Sequence, residues 1–239
     1  MRKLFRAIYY RFGVRLFSFY TLHNLHMDLW RLRARLIHRH NRSDLQPKYD
    51  KLHIGCGTRK VPGWLNVDVV DSDYDLDLAC GRLPFASESF EAMLSQHVIE
   101  HLDLRRELIP LFRELRRIAK PDCEIYLSTP DMEVVCKSFF EHRGEDLLKD
   151  RISRWSKYSL EGLPAIQMIN DLFVRDGEHK NLFDLDLLTW VLESTGFGKV
   201  KRIKEKDLLK RFPEFPPRND DYSTLYVRAV AVANPKEKK

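Results

Sequence analysis

Lys51-Leu52-His53-Ile54-Gly55-Cys56-Gly57-Thr58 is a short run that ends in two glycines, the pattern of a strand entering a tight turn. Three of the ten glycines, Gly55, Gly57 and Gly63, fall within nine residues here. Lacking a Cβ, they permit positive φ and let a ligand approach the backbone closely. Eleven residues after Gly57, Asp68 closes the next apolar run, Trp64–Val67. A carboxylate in that place can accept both hydroxyls of a ribose. The dinucleotide fingerprint G-x-G-x-x-G has the same logic, but Lys60 stands where its third glycine would be.

Outward from this turn, strand and helix patterns alternate. Strands are expected at Lys51–Ile54, Trp64–Val67, Tyr74–Leu78, Ala92–Ser95, Glu124–Ser128, Lys199–Ile203 and Thr224–Val232. Leu104, Leu108, Leu111, Phe112, Leu115 and Ile118 mark a helix over Leu104–Ala119 that stops before Pro121. A second covers Leu185–Glu193, with Gly196 as its C-terminal cap. The alternation indicates an α/β fold, a doubly wound and mostly parallel sheet of seven strands. Residues 131–180 interrupt it with charged, aromatic and helix-forming sequence. An insertion after the fifth strand would lie over the carboxyl ends of the strands, where open α/β sheets bind ligands.

The 239 residues are 44% hydrophobic and 32% charged, which excludes a disordered or collagen-like chain. The net charge of +6 is uneven. Residues 1–50 hold 11 Lys/Arg against 3 Asp/Glu, and residues 51–239 hold 30 against 32. The basicity belongs to an arm, residues 1–48, ahead of the domain at 49–239. Within it, basic and aromatic residues interleave from Arg2 to Tyr20. Leu22, Leu25, Leu29, Leu32 and Leu36 then share one helix face, opposite Arg31, Arg35 and Arg39. Such an arm suits docking on its own domain, a homodimer contact through Leu22–Leu36, an anionic membrane surface through residues 1–42, or, less readily, a nucleic-acid backbone. Ser43 and Pro47 mark a linker into the domain. The longest charge-free stretch of the arm, Leu16–Met27, is 12 residues, against about 20 for a membrane span. Arg6, Arg11 and Arg15 interrupt the apolar core of any secretory signal. Cys56, Cys80, Cys123 and Cys136 form no C-x-x-C pair. Reduced thiols and a cytoplasmic location, peripheral at the inner membrane face, are expected.

Gly55-Cys56-Gly57-Thr58, Asp68, Leu83-Pro84-Phe85-Ala86-Ser87-Glu88-Ser89-Phe90-Glu91 and His97-Val98-Ile99-Glu100-His101-Leu102 come in that order. Together they resemble class I S-adenosylmethionine (SAM)-dependent methyltransferases, above all a small bacterial subgroup associated with sugar and polysaccharide modification. Phe183 to Phe197, ending Thr195-Gly196-Phe197, is similar to that group's late helix and following strand. The resemblance covers about residues 51–232. It implies SAM as cofactor, with Gly55, Cys56 and Gly57 passing the methionine part across their backbone. It also implies Asp68 on the ribose, Val69, Asp77 and Leu78 bordering the adenine, and Gln96 and His97 near the sulfonium and the acceptor. The family carries an acid two residues before the first glycine, where it organises the SAM amino group; here His53 stands there.

His97, Glu100 and His101 sit at i, i+3 and i+4 at a helix start. They read as packing and backbone-amide partners, or as an acid/base or metal site, since histidine titrates near neutrality and ligates metals. No metal is assigned from the sequence, because further ligands would be needed and only His142 and His179 offer themselves. His179, where the insertion returns to the sheet, is expected to face the acceptor, so the expected catalytic residues are His97, His101 and His179. Charge runs such as Lys149-Asp150-Arg151 read as solvated faces. The resulting expectation is O-methylation of a small-molecule or glycan acceptor, a sugar or lipid-linked intermediate. The alternatives are an RNA or quinone-precursor methyltransferase, or a non-catalytic SAM-fold protein.

Overall fold

The computed structural model describes residues 16–38 and 45–232. The basic and aromatic residues from Arg2 to Arg15, Arg39 and much of the linker lie outside the described residues. Seven strands form one sheet: β1 (Lys51–Ile54), β2 (Leu65–Asp68), β3 (Tyr74–Asp75), β4 (Phe90–Gln96), β5 (Ala119–Pro130), β6 (Phe197–Ile203) and β7 (Thr224–Ala231). Their order across the sheet is β3-β2-β1-β4-β5-β7-β6. The first five pair in parallel, and β7 runs antiparallel between β5 and β6. The chain order reverses between β1 and β4, the place where an open α/β sheet splays its loops and takes a ligand.

Both faces of the sheet are covered, and side chains alternate between two cores as strand geometry requires. Met93, Ile125, Leu127, Leu225 and Val227 face one core. That core is closed by α2 (Ile109–Ile118) through Leu111, Phe112, Leu115 and Ile118, and by α6 (Leu185–Ser194) through Leu188, Val191 and Leu192. Ala92, Leu94, Tyr126 and Tyr226 face the other, with Trp64, Phe212, Phe215 and Leu208 of α7 (Glu205–Arg211). The β1–β2 connection carries no helix, and Trp64 fills that side, edge-on to Phe212 and Phe215. Asp103 caps the π-helical turn Leu104–Leu108 that leads into α2, accepting from the Arg105 and Arg106 amides. Gly196, at φ +96°, ends α6. Helix α7 was not read in the sequence, because its seven residues carry too few apolar positions to show a period.

Residues 131–180 fold as a cap over the carboxyl ends of the strands. Helices α3 (Met132–Lys137), α4 (Glu145–Arg154) and α5 (Gln167–Phe173) enclose a third core of Val135, Leu147, Met168, Ile169 and Leu172.

Helix α1 (Phe19–His38) docks on the domain with the face opposite to its leucine stripe. Arg31 and Arg35 reach Asp77 at 3.0 and 2.5 Å, Arg31 also reaches Glu107 at 2.7 Å, and Arg33 reaches Asp75 at 2.7 Å. Ala34 is buried in the contact. Leu25, Leu29, Leu32 and Leu36 point away from the domain, each more than half exposed. The domain rim there carries carboxylates, so it takes the arginines and leaves the leucines outside. No helix among the described residues is long and apolar enough to cross a membrane.

Candidate active site

The cleft at the switch point has a volume of ≈ 840 Å³. Its sheet-side wall is the turn after β1, together with Gln96 and His97 after β4. Gly55 and Gly57 both hold positive φ, +67° and +52°. A Cβ on Gly55 would meet Val98 at 2.2 Å, whereas a Cβ on Gly57 would meet nothing within 4 Å. Gly55 is therefore demanded by packing, and Gly57 leaves a cradle open in front of its backbone. Asp68 fixes that cradle: its Oδ2 accepts from the Gly57 amide at 2.7 Å and its Oδ1 from the Val69 amide at 2.6 Å. Each oxygen keeps a second lone pair, so two ribose hydroxyls can still be accepted. Burial, and then Asp68, push the Cys56 thiol up to about 11, which makes it a wall and not a nucleophile.

The opposite wall comes from the cap and from residues 217–224. It carries Arg151, Arg154, Trp155, Arg175 and His179 from the cap, and Arg218 and Asp220 from the segment before β7; Arg59 of the first loop completes the ring. Five arginines thus line the cleft against one carboxylate, Asp220. Several are tied down already. Arg59 donates to the Pro216 carbonyl, Arg154 pairs with Asp150 at 2.6 Å, and Arg218 pairs with Asp220 at 3.0 Å. Arg151 is different: among the described residues it makes no ion pair, and its buried Nε has no hydrogen-bond partner. It lies over the Trp155 and Tyr158 rings at 5.8 and 5.7 Å.

Three histidines meet at the floor. His97, at φ +56°, places Nδ1 3.2 Å from Glu100 Oε1 and Nε2 3.1 Å from Asp220 Oδ2. Burial opposes its charge, but Asp220 and Glu100 outweigh that and hold His97 above its ordinary range. Its partner Asp220, despite burial, is held well below the usual carboxylate range by His97, with Tyr226 and Arg218 also donating to it. His101 and His179 stack edge-on, with centroids 4.9 Å apart. Each donates from Nδ1 to a backbone carbonyl, His101 to Glu178 at 3.2 Å and His179 to Leu172 at 2.7 Å. A carbonyl only accepts, so each neutral ring keeps its lone pair on Nε2. Burial holds the His179 imidazole below its ordinary range.

Solved structures with this architecture are distant. A SAM-dependent methyltransferase from Methanosarcina mazei is 17% identical, with 83% of this chain and 98% of that one covered, at a TM-score of 0.47. The CurJ carbon methyltransferase is 15% identical at a TM-score of 0.43, with 79% of this chain covered. The chain spans about half the length of that protein, 50%. The Haemonchus contortus phosphoethanolamine N-methyltransferase 2, solved with SAM, is 12% identical over 84% of this chain and 53% of that one, at a TM-score of 0.41. No curated protein sequence matches the chain. Residues 52–127, from β1 through the body of β5, match the model of a methyltransferase domain family. By sequence, residues 52–127 are those of a methyltransferase domain, set here in a seven-stranded α/β sheet.

Within that methyltransferase domain, the cleft is lined by Gly55, Cys56, Gly57, Gln96, His97, His101 and His179. Asp68 and Val69 bound the glycine turn from behind. Asp77, expected to border the adenine, has a side chain 3% exposed that faces Arg31 and Arg35 of α1, and Leu78 packs against the main core; neither lines the cleft. His53 is elsewhere. It is buried in β1, bonded to Asn66 at 3.0 Å and edge-on to Phe215, so it supports the second core and does not line the cleft. His97 reaches the expected place, on the cleft wall between Glu100 and Asp220. His142 is exposed and outside the cleft. Of the cap aromatics, Trp155 lines the cleft, while Phe139, Phe140, Tyr158 and Phe173 do not. Asp220 and Arg218 gave no sequence signal, since they sit in an aperiodic polar segment, 123 residues beyond His97 in Asp220's case. Arg151 looked like part of a solvated charge run; the cap turns it inward onto two rings.

Proposed function

We propose that the domain methylates a hydroxyl oxygen of an acceptor that carries phosphate, a sugar or lipid-linked glycan intermediate. The observation that carries this reading is the arginine wall: five guanidinium groups line the cleft, and Arg151, its Nε without a hydrogen-bond partner, makes no ion pair among the described residues. Guanidinium forks match phosphate oxygens in shape and charge, and each charged hydrogen bond contributes about 1.5–3 kcal/mol.

When bound, SAM supplies a methyl group on a positively charged sulfur. The rest falls to this chain's residues. The backbone of Gly55 and Gly57 and the carboxylate of Asp68 would hold the cofactor, and the cap arginines would anchor the acceptor. Trp155 and the cap exclude water from the space between. Holding the reacting oxygen in line accounts for most of the acceleration such a site can supply. Its activation centres on His101 and His179, which carry free lone pairs on the cleft wall.

The outward leucine stripe of α1 supports a lipid-linked acceptor. It continues toward Leu16, Phe17 and Tyr20, all exposed. The chain ahead of it adds Arg2, Lys3, Arg6, Arg11 and Arg15 with no acidic residue. An apolar face beside a basic segment fits the surface of an anionic membrane. Flotation with phosphatidylglycerol vesicles should capture the protein at low salt and release a variant with Leu25, Leu29 and Leu32 changed to Gln. A stable dimer that ignores vesicles would assign the stripe to a second copy. The acceptor reading is tested with labelled SAM and paired sugars with and without phosphate. Label should enter only the phosphorylated member, and equal labelling of neutral sugars would refute it.

A further inference from the structure

The floor of the cleft holds a group the methyl-transfer reading does not use. Glu100 is 1% exposed, and Oε2 has no partner. Its Oε1 lies near His97 Nδ1 at 3.2 Å, without hydrogen-bond geometry. Against burial, His97, the cation nearest Oε1, holds the carboxyl below its ordinary range, while Oε2 keeps its lone pairs for a further donor or cation, since an unpaired buried polar atom costs free energy. A carboxylate oxygen of Glu100 and one ring nitrogen each from His101 and His179 lie within 4.8 Å of one another. Both rings are oriented by Nδ1–H bonds to backbone carbonyls, which aims Nε2 as a lone pair. That is the outer-shell support that metal-ligating histidines use.

We propose that Glu100, His101 and His179 form a binding site for one first-row divalent cation, open toward the cleft. Two ligands each about 2.1 Å from an ion lie at most about 4.2 Å apart. Closing from 4.8 Å therefore takes small side-chain rotations. Two imidazoles and one carboxylate suit Mn²⁺, Fe²⁺, Co²⁺ or Zn²⁺ better than Ca²⁺ or Mg²⁺, which prefer all-oxygen shells. His101 and His179 line the cleft while Glu100 lies behind them, so the remaining coordination positions face the acceptor space. The chain holds the triad firmly: the Lys180 and Asn181 amides both donate to the Glu100 carbonyl, at 2.8 and 3.2 Å, which ties the end of the cap to the turn after β4. Where the cleft takes a hydroxyl acceptor, as proposed above, an oxygen bound to the ion ionises nearer neutral pH. The position thus deepens that reading, while cation binding itself does not depend on it.

The test uses the full-length chain after dialysis against a chelator, titrated calorimetrically with Mn²⁺ and with Zn²⁺, and Mn²⁺ paramagnetic resonance as a second readout. One saturable site per chain is expected, with affinity lowered at least tenfold in Glu100→Gln and in His179→Asn, and unchanged in His142→Asn. His179 lies in the cap turn, so its variant tests the site should Glu100→Gln fail to fold. Absence of saturable binding, or binding that survives His179→Asn but is lost in His142→Asn, overturns the proposal. A SAM titration on the same samples separates the two readings: cation binding without SAM binding counts against the methyl-transfer reading and leaves the cation site standing.

Discussion

The two walls of the cleft are built by different means. The sheet-side wall is mostly backbone, two positive-φ glycines held by one carboxylate within the 18 residues from Lys51 to Asp68, with Gln96 and His97 beside them after β4. The cap-side wall is mostly side chain, and its arginines and histidines are gathered from Arg59 to Asp220. A backbone cradle recognises what every substrate of the fold shares, whereas a wall of side chains can be changed without disturbing the sheet. The first wall therefore reads as the constant half and the second as the half that selects an acceptor. A smaller hollow of ≈ 360 Å³, lined by Glu91, Glu124, Arg211 and Arg228 among others, has no such asymmetry. Glu124 there is already paired with both arginines.

The largest expected effect tests whether the constant half is self-sufficient. Arg31→Ala with Arg35→Ala removes both cations from Asp77, whose side chain is 3% exposed. A buried carboxylate stripped of its partners destabilises by about 3–5 kcal/mol; the low end applies, because Arg35 is half exposed. Denaturant unfolding should show a loss near 3 kcal/mol, and SAM affinity should fall with it. A stable variant with normal SAM binding would make α1 dispensable to the cofactor side.

His53 gives an effect of similar size that depends on pH. Burial holds it at about 4, against an ordinary value of 6.5, so the fold keeps it neutral. Between those values the unfolded chain binds more protons than the native one. Stability therefore rises with pH across this window and is lost on acidification from 6.5 toward 4, by about 3 kcal/mol. Glu107 does not blur the window. Burial opposes its charge, but Arg31, the Asp103 amide and Lys180 hold it at about 2, so its contribution fades only below about 4.5. Unfolding of wild type and His53→Asn at pH 7, 5.5 and 4.5 should show the steeper slope in the wild type, with His179 contributing in the same direction and His97 in the opposite one in both proteins. Parallel slopes would remove His53 as its source.

What the sequence disclosed follows the same division. The glycine turn and Asp68 were legible because strand, turn and strand are local, and each imposes its residue types within a few positions. The mostly parallel seven-stranded sheet followed from alternation. The acceptor side was not legible, since Asp220 meets His97 through folding alone and Arg151 is indistinguishable in sequence from a solvated arginine. Which face of α1 docks was not legible for a related reason: periodicity finds the leucine stripe, but the carboxylates of Asp75, Asp77 and Glu107, which take the arginines, lie on other elements.

Asp68→Ala probes the backbone cradle directly. It removes two backbone bonds and any ribose contact, so calorimetry should show SAM affinity roughly ten- to a hundredfold weaker, about 1.5–3 kcal/mol. The acceptor KM should hold steady. A shift in the acceptor KM as large as that in SAM affinity would mean the two walls are one binding unit.

The smallest expected effect decides whether the cap wall selects the acceptor by charge. Arg151→Gln keeps the length of the side chain and removes its charge. The guanidinium lies over Trp155 and Tyr158, worth about 0.5–1 kcal/mol at such exposure, so the cap should remain folded. Burial, and then Arg154, lower the Arg151 pKa, with Tyr158 and Asp150 opposing them, yet a guanidinium stays charged at neutral pH and Arg151 makes no ion pair among the described residues. Losing one charged contact of several should raise KM for a phosphorylated acceptor about tenfold, with kcat and SAM affinity little changed. Added salt should raise the wild-type KM more than the variant's, because one screened contact is already missing. A fall in kcat at constant KM would place Arg151 on the reacting atoms and not on the phosphate. An unchanged KM at every salt concentration would show that the arginine wall does not read acceptor charge.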